Sequence, residues 1–502
     1  MSTSVIVIGA GLGGLAAAIR LAARGARVEI LEKNETPGGK VNIRRAGGYT
    51  FDTGASLLTM RHVVEDLFAS ANRRAEDYLT IEPLDPICRY RWPDGATLDA
   101  STDLRKTEDE IRRIAPEDVG GFRRFLADAR HKYEVAERTF LAHSLNDLPK
   151  LLRPRYARDL AAISSWRTLS AHVQSYFRSK HLRQLFNRFA TYNGSSPYRT
   201  AATFALIPYV EFGMGAWYVR GGMYELPRAL ARVASELGVT ITTGAEVEKI
   251  MIEGGRARGV VLKGGEVRRC DAVLANSDAI ETYRSLIEPA ARGRGYTNEK
   301  LARIEPSSSG FVILAGARRR YENLAHHNVF FSDDYEAEFR ALFNDLRPAA
   351  DPTIYVCATS RTDSTQAPAG HENFFVLVNA PATSERTNWE KESAAYRDLI
   401  VRKLEDFGLE DLSGAIDYER IITPEDFRTQ YNAYRGAIYG VSSNKWTSAF
   451  LRPPNKARDI AGLYFAGGAT HPGGGIPLVL LSGKMAVELL MKEGEKGKGR
   501  KG

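Results

Sequence analysis

The chain has 502 residues, 43% hydrophobic and 26% charged, enough for about three average domains or two larger ones. Its 69 Lys and Arg against 61 Asp and Glu leave a formal charge of +8, which favours anionic surfaces; no nucleic-acid motif accompanies the basic residues, so the reading is phospholipid and no nucleic acid. No apolar run reaches the roughly eighteen residues of a membrane-spanning helix, and Cys88, Cys270 and Cys357 form no C-x-x-C pair, which argues against dithiol redox chemistry and a cysteine-rich metal site.

The chain opens on an apolar strand, not on a basic-then-apolar leader, so a cytoplasmic location is expected. Residues 5–8 are followed by Gly9-Ala10-Gly11-Leu12-Gly13-Gly14, then by Ala16-Ala17-Ala18 and a second apolar strand that ends at Glu32. Strand, glycine turn, small-residue helix, strand and acid at a roughly 20-residue offset form a dinucleotide-binding unit. Gly9 permits the tight turn, Gly11 lets backbone approach a pyrophosphate, and Gly14 lets the helix lie close to the sheet. The helix N-terminus offers free N–H groups and a positive dipole end to the diphosphate. Glu32 is placed to accept hydrogen bonds from ribose hydroxyls. Gly38-Gly39-Lys40 and Phe51-Asp52-Thr53-Gly54 are further glycine turns suited to backbone contacts with a cofactor.

Residues 86–220 read mainly as helices, at 108–114, 120–140 and 170–189, interrupted at Pro116 and Gly120. Aromatics are dense here, among them Tyr133, Phe140, Phe186, Tyr192 and Phe204, and read either as core or as the wall of a ligand passage. Residues 148–166 mix Lys150, Arg153, Arg155 and Arg158 with Leu151, Leu152, Tyr156, Leu160 and Trp166. That pattern suits an anionic membrane interface or a surface helix of the helical region.

From residue 221 the expectation is a helix at 224–237, then a strand meander at 239–242, 247–251, 259–262 and 271–275 returning to the first sheet. Strands at 310–316 and 374–378 and a helix at 391–407 follow. His326 and His327 are adjacent, poor spacing for ligands on one helix face, so no metal is expected. The stretch 462–477 leads a strand into a second glycine-rich turn, and residues 478–491 read as a helix. A second helix N-terminus thus faces a second glycine turn, and the two ends of the chain can meet over one ligand. The Gly- and Lys-rich residues 494–502 read as disordered.

The two glycine motifs, together with Arg188-Phe189-Ala190-Thr191-Tyr192-Asn193-Gly194-Ser195-Ser196-Pro197, Trp217-Tyr218-Val219-Arg220-Gly221-Gly222-Met223 and Thr470-His471-Pro472-Gly473-Gly474-Gly475-Ile476-Pro477, resemble the bacterial-type carotenoid (phytoene) desaturases. These are FAD-dependent flavoproteins of the amine-oxidase-like fold, and the resemblance spans essentially the whole chain. It implies an α/β fold: a Rossmann-like FAD-binding domain of amine-oxidase type, with an inserted α+β substrate domain and a helical, membrane-facing part. The FAD domain would be discontinuous (1–85, 221–280 and 424–502), with the helical region at 86–220 and the substrate domain at 281–423. The resemblance assigns Gly9, Gly11, Gly14 and Glu32 to the ADP half of FAD, with Ala10, Gly13 and Lys33 as further cofactor-binding residues. It places Gly39 and Lys40 near the diphosphate, Val247 at the adenine, and Gly467, Gly468, Gly475 and Ile476 beside the ribityl chain and flavin ring, with Gly54 as a further cofactor-binding residue. No acid follows Gly467-Gly468, as in the desaturase branch and unlike many related flavoproteins. Leu480-Leu481-Ser482-Gly483-Lys484 departs from the commonest phytoene-desaturase ending, which leaves open a later coloured intermediate, a C30 substrate or a polyene oxygenase.

The implied reaction removes two hydrogens from adjacent carbons of a polyene, one as hydride to flavin N5 and one as a proton, with oxygen or a quinone as terminal acceptor. An uncharged hydrocarbon offers only apolar burial for recognition, and it resides in the bilayer, so a peripheral membrane location is expected. Candidate proton acceptors are Glu211, in an apolar-aromatic stretch, and His471, in the C-terminal turn; the alternatives are an arginine pair for Glu211 and a backbone cap for His471. Competing functions are a carotenoid cis-trans isomerase or polyene oxygenase on the same fold, and a non-catalytic isoprenoid carrier. The intact fingerprint ending at Glu32 argues against the carrier.

Overall fold

The computed structural model describes residues 3–147, 166–445 and 452–498. The apolar strand Ser4–Ile8 lies at the centre of a five-stranded parallel sheet ordered Leu463–Phe465, Ala272–Ala275, Ser4–Ile8, Arg27–Leu31, Thr240–Thr242. Its near-continuous apolar run follows from burial on both faces. The first helix, Leu12–Ala22, is buried along almost its whole length. It crosses the C-terminal helix, Ile476–Lys498, so closely that a Cβ on Gly483 would lie 2.7 Å from the Gly13 carbonyl oxygen. That helix extends through 494–498, against the expectation of disorder there.

Val247–Glu253, Arg256–Leu262 and Val267–Arg269 form a separate antiparallel meander, and the strands flanking it, Thr240–Thr242 and Ala272–Ala275, belong to the parallel sheet. A second, seven-stranded sheet is ordered Ile416–Ile422, Ser309–Ala317, Glu372–Ala380, Ile354–Cys357, His327–Phe330, Cys88–Arg91, Thr97–Ala100. All its pairs are antiparallel except His327–Phe330 with Cys88–Arg91. The segments 86–220 and 281–423 therefore share one sheet.

The helical region departs from expectation at two places. Val119–Ala136 gives way at its end to one wider turn, Glu137–Leu141. The expected helix over 170–189 divides into Leu169–Gln174 and Lys180–Asn187, followed by a 3-10 segment, Arg188–Asn193. The division has a distant cause. The buried Asp118 carboxylate accepts the Arg178 N–H at 2.9 Å and the Ser179 N–H at 2.7 Å, drawing the chain away from helical pairing just before the second helix. Most of the dense aromatics are core: Phe122, Phe125, Phe177, Phe186 and Phe189 are buried, with Phe177 stacked on Phe186 at 4.7 Å. Among the described residues no helix is long and apolar enough to cross a membrane. The basic-aromatic stretch lies outside the described residues except for Trp166, which is 89% exposed.

Candidate active site

The glycine turn after the first strand is held by Glu32. One carboxylate oxygen accepts the Ala10 N–H at 2.8 Å; the other accepts the Asn34 backbone N–H and side-chain amide at 2.9 and 2.8 Å. Gly9 has φ +95° and donates to the Leu31 carbonyl at 2.8 Å, so the turn is locked to the second strand. Gly11 starts the first helix and no side chain caps it. A Cβ on Gly14 would lie 2.3 Å from the Gly9 oxygen. A Cβ on Gly13 would lie 2.8 Å from the Asn276 amide and 3.0 Å from the Gly467 backbone. Asn276 thus sits between the two glycine turns and donates to the Ala466 carbonyl at 2.9 Å. The sequence reading missed it, because nothing local distinguishes an Asn after an apolar strand.

Lys33 and Lys40 bind the C-terminal segment across the cleft. Lys33 Nζ donates to the Thr429 carbonyl and Asn432 Oδ1 at 2.8 and 2.9 Å. Lys40 Nζ donates to the carbonyls of Ile438 and Ala437 at 2.6 and 3.3 Å. Burial pulls Lys40 down to about 8, against the opposing pull of Asp278. Gly54 approaches so closely that a Cβ there would lie 1.8 Å from the Lys40 oxygen.

One continuous cavity of about 600 Å³ runs from Glu32 and Val247, past both glycine turns, to Tyr133, Phe140, Phe204 and Val210. Of the site residues named from the sequence, all but Ala10 and Gly14 line it. Ala10 serves through its N–H and Gly14 through helix packing.

Glu211 is buried on the cavity wall and accepts a hydrogen bond from the Tyr192 hydroxyl. Burial raises its carboxyl to about 7, with the nearby Arg188 charge opposing. His471 is buried with Nε2 at 3.0 and 3.1 Å from the carbonyl oxygens of Phe140 and His143. Burial pulls His471 down to about 4, so it is neutral and ties the 140–143 segment to the C-terminal turn. The same turn is fixed by Ser482, whose hydroxyl donates to the His471 carbonyl at 2.7 Å and accepts the Gly467 N–H at 3.1 Å. Two buried arginines line the cavity. Arg452 donates to the carbonyls of Tyr439, Gly468 and Val441 at 3.0, 3.0 and 3.2 Å. Arg188 lies over the rings of Tyr90, Phe189 and Tyr192 at 5.5, 5.4 and 5.4 Å. His326, His327 and Cys357 are also brought together, each buried, with candidate ligand atoms within 4.8 Å of one another.

An uncapped helix N-terminus, glycines at which a side chain would strike backbone, an acid closing the second strand and an elongated cavity between the two chain ends fit a flavin dinucleotide. The chain belongs to the flavin-containing amine oxidoreductase family, whose model matches residues 12–491. Among curated proteins it is 38% identical to the 4,4'-diapolycopene oxygenase of Methylomonas sp, over 97% of this chain and 98% of that one. It is also 38% identical to the all-trans-zeta-carotene desaturase of Myxococcus xanthus, over 98% of this chain and 94% of that one. Among solved structures, a putrescine oxidase variant superposes with a TM-score of 0.66 at 11% identity, covering 98% of this chain and 99% of that one. FAD is the cofactor, and the protein is an FAD-dependent oxidoreductase.

Proposed function

We propose that this protein is a carotenoid desaturase acting on a phytoene-like or later polyene. The observation that carries the reading is the continuity of one cavity from the dinucleotide cleft to an apolar, aromatic wall, which lets a hydrocarbon reach the cofactor out of water. Bound FAD supplies the two-electron acceptor. The glycine turns at 9–14 and 467–475, with Lys40 and Ser482 behind them, hold the cofactor. Tyr133, Phe140, Phe204 and Val210 bury the polyene. Glu211 is the side chain of that wall that holds or releases a proton near neutrality; His471 positions the turn. The cofactor domain comprises 1–85, 221–280 and 424–502. Docking is on a membrane surface through the basic-aromatic stretch, and electrons leave to oxygen or a quinone.

Expression with a colourless C40 or C30 polyene tests this: products should absorb at longer wavelength as conjugation grows, and an unchanged spectrum would overturn it. Liposome flotation tests the docking, with Lys150, Arg153, Arg155 and Arg158 replaced by Ser. Polyene oxygenation is the second reading, favoured by the likeness to the Methylomonas enzyme; product mass separates it by the added oxygen.

A further inference from the structure

Arg188 stands out among the cavity's polar groups. It is 8% exposed, forms no ion pair among the described residues, and leaves its Nη1 buried without a hydrogen-bond partner. The other buried arginine of the cavity, Arg452, is spent on three carbonyls. Aromatic faces of Tyr90, Phe189 and Tyr192 hold the Arg188 guanidinium in place, yet they satisfy none of its N–H groups. The carboxylate nearest in charge, Glu211, is engaged by the Tyr192 hydroxyl. On the same cavity wall the Tyr335 hydroxyl is likewise buried and unpartnered, and it lies within the field of Arg188. These two donors without acceptors face the same cavity as the apolar wall of Tyr133, Phe140, Phe204 and Val210; His327 Nε2 and Thr53 Oγ1 are also buried there without a partner. A pure hydrocarbon gives such donors nothing, and burying them unmatched is costly.

We propose that Arg188, with Tyr335 beside it, receives the oxygenated end of a conjugated polyene: a terminal aldehyde or carboxylate whose oxygen accepts from the guanidinium. This rests on the polyene reading and adds to it a receptor for substrates or products that bear a terminal carbonyl oxygen. An aldehyde matches it through hydrogen bonding; a carboxylate adds charge.

The test is binding to the FAD-loaded protein in detergent micelles, with three probes of equal chain length: a polyene carboxylic acid, the corresponding aldehyde and the methyl-ended hydrocarbon. Affinity is read from the shift of the polyene absorption band. At least one oxygenated probe should bind about tenfold more tightly than the hydrocarbon, equivalent to about 1.4 kcal/mol. Arg188→Met should abolish that preference and leave hydrocarbon affinity unchanged, Arg188→Lys should retain part of the preference for the acid, and Tyr335→Phe, a smaller change, should reduce it. Equal affinity for all three probes in the wild type, or a preference that survives Arg188→Met, overturns the proposal. Should Arg188→Met fail to fold, an undiminished preference in Tyr335→Phe and Arg188→Gln overturns it. Desaturation of the hydrocarbon, assayed separately, decides the function proposed above whichever way the binding falls.

Discussion

Gly13 and Gly467 are backbone neighbours: a Cβ on Gly13 would come within 3.0 Å of the Gly467 Cα. The first belongs to the turn that opens the chain and the second to the turn before the C-terminal helix. Their contact is what makes one cofactor cleft from two sequence-distant motifs. It also means that the cleft needs both ends of the chain in place, since neither motif completes it alone.

Gly13→Val therefore strikes the Asn276 amide and the Gly467 backbone together. The purified variant should be colourless at flavin wavelengths, with thermal stability reduced by about 1–3 kcal/mol from overpacking. Gly295→Ala is the control, because nothing lies within 4 Å of the added carbon. It should keep its flavin. A yellow Gly13→Val protein with normal FAD content would show that the turns do not meet as described.

Glu211 makes stability depend on pH in a specific direction. Its carboxyl rises from 4.5 to about 7 on burial, so between these values the native state binds more protons than the unfolded chain. Stability then falls as pH rises through that window, by about 3 kcal/mol in total. Glu211→Gln removes this component. Denaturant unfolding across about pH 4 to 8 should show the wild type losing ground to the variant as pH rises, and parallel curves would contradict the burial of an ionisable group there.

The elements legible in the sequence were those whose determinants are local. Residues 5–32 announce themselves because the strand and small-residue helix patterns are joined by glycines at fixed spacing, and 462–477 repeat that logic. The strands at 310–316 and 374–378 are found within Ser309–Ala317 and Glu372–Ala380 because both are buried apolar runs. What stayed hidden depends on distant partners. The break after Gln174 is made by Asp118. The joining of Cys88–Arg91 to His327–Phe330 is a parallel pairing between remote segments. Asn276 and the unpaired state of Arg188 emerge only when the cavity closes around them. Gly11, Glu32 and Gly467 could be named from pattern, whereas whether Glu211 meets an arginine or a tyrosine could not.

His471 has the opposite pH signature to Glu211. The unfolded imidazole takes up a proton from about 6.5, the folded one only near 4, because burial disfavours its charge. The unfolded chain binds more protons between these values, so acidification through them lowers stability, by up to about 3 kcal/mol. His471→Gln should lack that acid-side loss. Its activity profile between about pH 6 and 8 should match the wild type, because a neutral imidazole that serves as a tie does not titrate there. An altered profile in that range would make His471 a proton carrier.

Ser482 is the residue through which the ending at 480–484 bears on the second glycine turn. Its fully buried hydroxyl donates to the His471 carbonyl at 2.7 Å and accepts from the Gly467 N–H and the Asn455 side-chain amide, each at 3.1 Å. One small side chain thus joins the C-terminal helix to both sides of the glycine turn. Ser482→Ala leaves the Gly467 N–H without this acceptor and the His471 carbonyl with one donor fewer, at a cost of about 1–3 kcal/mol. The strain falls on the glycine turn at 467–475, which we propose holds the cofactor, and not on the aromatic wall of the cavity. FAD retention during repeated ultrafiltration should therefore drop in Ser482→Ala while the affinity for a polyene hydrocarbon in the FAD-saturated protein holds. Loss of hydrocarbon affinity with intact FAD retention would instead place this segment on the substrate side of the cavity.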